Sequence, residues 1–138
     1  MAMRRRSGKR RSGCPVSTAL EIFGDPWTLL VVRDLMLRGV HTFDGFIAAG
    51  EDIATNILAD RLDRLRCDGI ITSRRDSTDR RRIRYRLTEK GMQLAPIIVE
   101  IVIWSAAHNR TEAPPEIVAA MKRDRQAFIA ELRAKWNV

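Results

Sequence analysis

The sequence predicts a mainly α-helical domain carrying one small β-hairpin, and three observations predict it. Apolar residues recur at helical spacing through most of the chain. The segment from about residue 70 to 87 instead alternates with period two around a polar turn. Helix-opening Pro or Asp and helix-ending Gly punctuate the helical stretches. A length of 138 residues, 45 % apolar and 30 % charged, suits one moderate globular domain.

The elements follow in order. Pro15 opens a first helix with Val16, Ala19, Leu20 and Phe23 on one face, closed by Gly24. Asp25-Pro26 opens a second helix with Asp25 as N-cap. Trp27, Leu29, Leu30, Val31, Val32, Leu35 and Met36 make it apolar on most sides, the pattern of a central core helix. Gly39 ends it. Thr42 caps a short third helix to about Ala48, burying Phe43 and Phe46. A fourth helix runs from about Ala54 to Asp68, with Leu58, Leu62 and Leu65 inward and Gly69 as the stop. Ile70–Arg75 and Arg82–Leu87 read as strands, the second with Ile83, Tyr85 and Leu87 inward and three arginines outward. Thr88-Glu89-Lys90-Gly91 follows, and a long helix then continues to about His108, with Pro96 as a kink or local start. A last helix begins at Pro114-Pro115 and carries Ile117, Met121, Phe128, Leu132 and Trp136 as one stripe.

Charge is concentrated in two places. Residues 1–13 hold six basic groups (Arg4, Arg5, Arg6, Lys9, Arg10, Arg11) and no acid, and residues 74–86 hold seven arginines against Asp76 and Asp79. The net charge is +8, yet the rest of the chain is slightly acidic. Two basic elements on a slightly acidic body suit a polyanionic partner. Helices three and four with a short turn between them form a helix-turn-helix, and a basic hairpin directly after makes the winged form. A helix of about 10–12 Å diameter fits the major groove of B-DNA, and the wing arginines can reach flanking phosphates or the minor groove.

The chain resembles the HxlR family of bacterial winged helix-turn-helix regulators. The residues that carry the resemblance are Cys14-Pro15-Val16, Gly24-Asp25-Pro26-Trp27-Thr28-Leu29-Leu30, Arg33-Asp34-Leu35, Thr42-Phe43, the run from Ile53 to Leu62, Asp68-Gly69, and Tyr85-Arg86-Leu87-Thr88-Glu89-Lys90-Gly91. The Leu-Thr-Glu-Lys-Gly piece and the Asp79-Arg80-Arg81-Arg82 wing also look MarR-like. The resemblance implies a homodimer on a pseudo-palindromic operator, with the helix at about 54–68 as reader, the wing at about 74–86, and the terminal helices as dimer contact. It divides the chain into a basic tail at 1–13, a winged region at 14–91, and dimerisation helices at 92–138 that form one compact domain with it. Two departures stand out: Ala54 replaces a capping Ser, and Pro26 replaces a basic residue.

The expected DNA contacts are Thr55, Asn56, Ala59 and Arg61 on the fourth helix, and Arg80, Arg81 and Arg82 in the wing. Asn56 can pair with adenine through two hydrogen bonds, and Thr55 can serve a base or a phosphate. Arg61 has two readings, a phosphate contact or an ion pair with an acid on a neighbouring helix. Asp60 and Asp63 repel phosphate. Cys14 stands at a helix N-cap beside the basic tail, a setting that favours thiolate, and some members of the family sense oxidants or electrophiles with a cysteine here. Its other reading is a small inert residue.

The stretch Leu94–Ala107 is too apolar for one chain of this size to cover, which implies a dimer or a folded-back helix. There is no apolar run of about 18 residues clear of charge and Pro, so no membrane partner is expected. The N-terminus is not a secretory signal, and two cysteines suit the cytoplasm. No phosphate loop, catalytic triad or paired-histidine motif is present, and His41 and His108 have no metal-ligand spacing, so neither enzyme activity nor a cofactor is expected. Two other functions compete: a MarR-type regulator answering a small molecule, and a winged helix that binds an acidic protein.

Overall fold

The computed structural model describes residues 11–136. Arg4, Arg5, Arg6, Lys9 and Arg10 of the basic tail lie outside the described residues. The chain divides into two compact units, one ending at Gly91 and the other starting at Met92.

The first unit holds α1 (Pro15–Phe23), α2 (Thr28–Leu37), α3 (Phe43–Ala48), α4 (Thr55–Cys67), β1 (Ile71–Arg75) and β2 (Ile83–Leu87), and the short α5 (Glu89–Met92) runs across its boundary. β1 and β2 form an antiparallel pair in which Ile71 faces Leu87 and Arg75 faces Ile83. Val31, Val32 and Leu35 of α2, Phe46 of α3, and Leu58, Leu62 and Leu65 of α4 are buried, as are Ile70, Ile71 and Leu87 at the base of the hairpin. The inward leucine stripe and the central character of α2 are as the periodicity predicts.

Four details differ from that prediction. First, α2 starts at Thr28 rather than at Pro26, because the Asp25 carboxylate accepts the N–H groups of Trp27 and Thr28 and the Thr28 hydroxyl. This holds Pro26-Trp27 in a turn ahead of the helix. Second, the apolar face of α1 is not buried: Val16 is 66 % exposed and Leu20 55 %. Third, Phe43 is only half-buried. Fourth, Ile83 is exposed, because it is the last paired residue before the wing tip and lies beyond the reach of the core.

The Thr-Glu-Lys-Gly segment has a physical reason. The Thr88 hydroxyl donates to the carbonyls of Gly69 and Ile70 and accepts the N–H of Gly91. A Cβ at Gly91 would collide with the Ile70 carbonyl oxygen, so only glycine lets α5 close on the hairpin base.

The second unit holds α6 (Ala95–His108), α7 (Pro115–Arg123) and α8 (Arg125–Trp136). The long apolar helix has the local start expected at Pro96, with a break at Gln93-Leu94 that sets it apart from α5. Pro96 lacks an N–H and its ring would clash with the carbonyl four residues back, so α6 starts afresh just before it. By length and composition the Glu89–His108 stretch is apolar enough to cross a membrane. It nevertheless carries this break, and Glu100 is ion-paired with Arg125. The expected last helix is two: Asp124 is extended, and its carboxylate caps α8 by accepting the Ala127 N–H. Val99 and Ile103 of α6 form a core with Met121 of α7, and Phe128 and Ile129 of α8 pack against it.

Candidate nucleic-acid interface

α3 and α4 form the helix pair, and each begins differently. Thr42 caps α3 by accepting the Gly45 N–H, as its position predicts. Ala54 offers α4 no side-chain acceptor. The turn between them passes through Asp52 at φ 55°, a left-handed conformation that Asp tolerates better than most residues.

The segment before α3 also joins the wing. Thr42 bridges Arg84, and the His41 carbonyl accepts the Tyr85 N–H at 2.8 Å. Phe46 and Tyr85 meet with ring centroids 6.1 Å apart. The hairpin is thereby tied to the start of the helix pair, a link that no periodicity in the sequence announces.

On α4, Thr55, Asn56 and Ala59 are all exposed on the first two turns. Arg61 is not free in the same way. Its Nε lies 2.8 Å from Asp25 and its Nη1 2.5 Å from Asp60, and the side chain is 17 % exposed. Of its two readings, the ion pair is the one the geometry displays, and it links α4 to the turn that starts α2. Arg64 reaches the same Asp60 oxygen, Oδ2, at 3.1 Å. Burial alone would raise the Asp25 pKa. Hydrogen bonds from Thr28, Arg61 and the Trp27 N–H outweigh it and hold the carboxyl well below the usual range. Arg61 is pushed up, chiefly by its bond to Asp25. Asp60, expected to repel phosphate, therefore carries two guanidinium partners.

The wing tip is built around two acids. Asp76 is buried, and its carboxylate accepts the hydroxyl and N–H of Thr78 at 2.7 and 2.8 Å and the Arg84 guanidinium at 3.4 Å. Those bonds, the Thr78 hydroxyl first, lower its pKa to about 2. Asp79 accepts the Arg81 N–H through its side chain and the Arg82 N–H through its carbonyl. Arg75 donates to the Arg80 carbonyl. Arg80, Arg81 and Arg82 are exposed on this frame, and the Arg81 side chain is 94 % exposed. A cleft of about 430 Å³ lies between the wing and α3, lined among others by Phe43, Arg81, Arg82 and Tyr85. Cys14 is exposed at the start of α1 and Cys67 is partly buried, both as free thiols.

Sequence reasoning named Asp25 as the cap of the second helix but not as the partner of Arg61, and it missed Asp76 as an anchor. For Asp76 the signal was present: it stands two residues before Thr78, a spacing at which a carboxylate reaches backbone N–H groups.

Residues 22–113 match the family described as HxlR-like helix-turn-helix. The chain belongs to that family. Its HxlR relatives include Rv3095 of Mycobacterium tuberculosis, an HTH-type transcriptional regulator itself uncharacterised, 37 % identical over 107 residues. The match covers 77 % of this chain and 66 % of the relative, so the chain spans just under two thirds of that protein. Among solved structures, the redox regulator HypR in its oxidised form is 26 % identical, with a TM-score of 0.63 over 71 % of this chain and 100 % of that one. Quinone-bound YodB of Bacillus subtilis is 28 % identical, with a TM-score of 0.55 over 68 % of this chain and 98 % of that one. The fold is that of the winged-helix regulators, and the HxlR family is one of DNA-binding transcriptional regulators, not of enzymes.

Proposed function

We propose that this HxlR protein is a cytoplasmic regulator that binds a pseudo-palindromic operator as a homodimer. α4 enters the major groove with Thr55, Asn56 and Ala59 toward the bases. Arg80, Arg81 and Arg82 of the wing meet flanking phosphates or the minor groove. Arg61 serves by holding α4 rather than by touching DNA. The observation that carries this reading is the pairing, in one unit, of exposed neutral readers on α4 with an exposed arginine tip on an ordered frame.

Binding to the chain's own upstream duplex and to a scrambled duplex, titrated at several salt concentrations, tests it. Phosphate neutralisation gives a steep fall of log affinity with log salt and a clear preference for the upstream duplex. A flat salt response would point to an acidic protein partner instead.

The dimer reading is supported by the exposed row Ile97, Ile101 and Trp104 on α6, spaced four and three residues apart, with Trp104 63 % exposed. Light scattering is expected to give twice the 15.8 kDa chain mass at micromolar concentration. Trp104→Glu is expected to dissociate the dimer by placing an unpaired charge in the contact. A stable wild-type monomer would contradict it.

A switch at Cys14 is supported by the thiol's exposure and by the likeness to a redox regulator and to a quinone-bound regulator. Mild oxidant or a quinone is expected to change operator binding, and Cys14→Ser to abolish the response. A wild-type affinity that ignores both reagents returns Cys14 to a structural role.

A further inference from the structure

Resting on the reading that α4 lies in the major groove, we infer that the bases it reads are A·T pairs, because ion pairs along α4 withdraw the arginines that would read guanine. A reading helix reaches base edges with its N-terminal turns. Guanine is read mainly by Arg or Lys, through two hydrogen bonds to O6 and N7.

α4 has three arginines and no lysine. Arg61 is held between Asp25 and Asp60, with its side chain 17 % exposed. Arg64 is held on Asp60 at 3.1 Å. Arg66 sits in the last turn, about 16 Å along the axis from Thr55 at 1.5 Å per residue.

Asp60 keeps this arrangement in place on DNA. It stands one turn beyond Asn56, with its side chain 49 % exposed. Sending Arg64 to a guanine would take one of the two guanidinium partners from that carboxylate, leaving Arg61, close to the phosphates. The exposed side chains that remain on the first two turns are neutral. The Asn56 amide matches the N6 donor and N7 acceptor of adenine, the Ala59 methyl suits the C5-methyl of thymine, and the Thr55 hydroxyl accepts either base.

The test is selection from randomised duplexes with the full chain, as wild type, Asn56→Ala, Asp60→Ala and Arg64→Ala. The wild type is expected to enrich an A·T core in each half-site. Asn56→Ala is expected to flatten the adenine preference by about tenfold, the size of one bidentate pair removed. Asp60→Ala is expected to release Arg64 and raise guanine beside the core. Replacing the core thymine by uracil is expected to weaken wild-type binding severalfold.

A G·C core in the wild type that Arg64→Ala abolishes would overturn the base assignment and leave α4 as the reader. An Asp60→Ala protein that gains no guanine would overturn the role given to the ion pairs. A core unmoved by both Asn56→Ala and Arg64→Ala would overturn the assignment of α4 to the groove, and this inference with it.

Discussion

α4 sinks Leu58, Leu62 and Leu65 among buried side chains, whereas the wing tip at residues 76–82 is organised by hydrogen bonds around Asp76 and Asp79. Both carry exposed groups suited to DNA, and both lean on a carboxylate, Asp25 for α4 and Asp76 for the wing. The difference lies in reach. Asp25 joins α4 to the turn before another helix, 36 residues away in sequence. Asp76 binds groups within eight residues of itself. A base reader must hold its place against the whole domain, while a phosphate contact tolerates a locally ordered tip, since phosphate contacts carry no sequence information.

The comparison can be broken by mutation, and the largest effect belongs to α4. Leu58→Ala removes a fully buried side chain and is expected to cost about 2–5 kcal/mol in urea unfolding. Ile83→Ala, at a position 41 % exposed on the wing, is expected to cost well under half of that. Equal losses would contradict the difference in anchoring. Asp25→Ala removes a helix cap and an ion-pair partner together and is expected to cost roughly 1–3 kcal/mol. A change near zero would mean that α4 is held by its leucines alone.

The smaller effect is a pH dependence in the wing. Asp76 has a folded pKa of about 2 against 3.8 for the free carboxyl. A depressed carboxylate adds stability above its unfolded pKa and loses it as pH falls toward the folded value. Wild-type stability is therefore expected to drop between about pH 4 and pH 2, and Asp76→Asn to flatten part of that drop. Identical profiles for the two proteins would remove Asp76 from the account.

What could be read in advance follows from the range of each interaction. The leucine stripe of α4, the Thr42 cap and the alternating hairpin are local patterns, and each stands where the spacing put it. The local start at Pro96 was legible and stands in the structure, whereas the break at Asp124 was legible in a capping Asp yet hidden by continuous apolar periodicity. The Asp25–Arg61 pair was half legible: an acid partner for Arg61 was one of its two readings, but which acid depends on packing between distant segments. Asp76 looked like an ordinary turn residue because burial of a turn carboxylate leaves no pattern in composition. The exposure of Val16 and Leu20 on α1 was also hidden, since amphipathic spacing marks an apolar face without naming what covers it.

The division of labour between helix and wing is tested most directly by one titration series. Wild type, Asn56→Ala and Arg81→Ala are each bound to operator and to scrambled duplex across a range of salt. Asn56→Ala is expected to lose about 1–3 kcal/mol on the operator and little on the scrambled duplex, with its salt slope unchanged. Arg81→Ala is expected to weaken both duplexes alike and to flatten the slope by about one unit for each phosphate that a dimer half no longer neutralises. An Asn56→Ala protein that loses equally on both duplexes would contradict the account, because α4 would then not be reading bases.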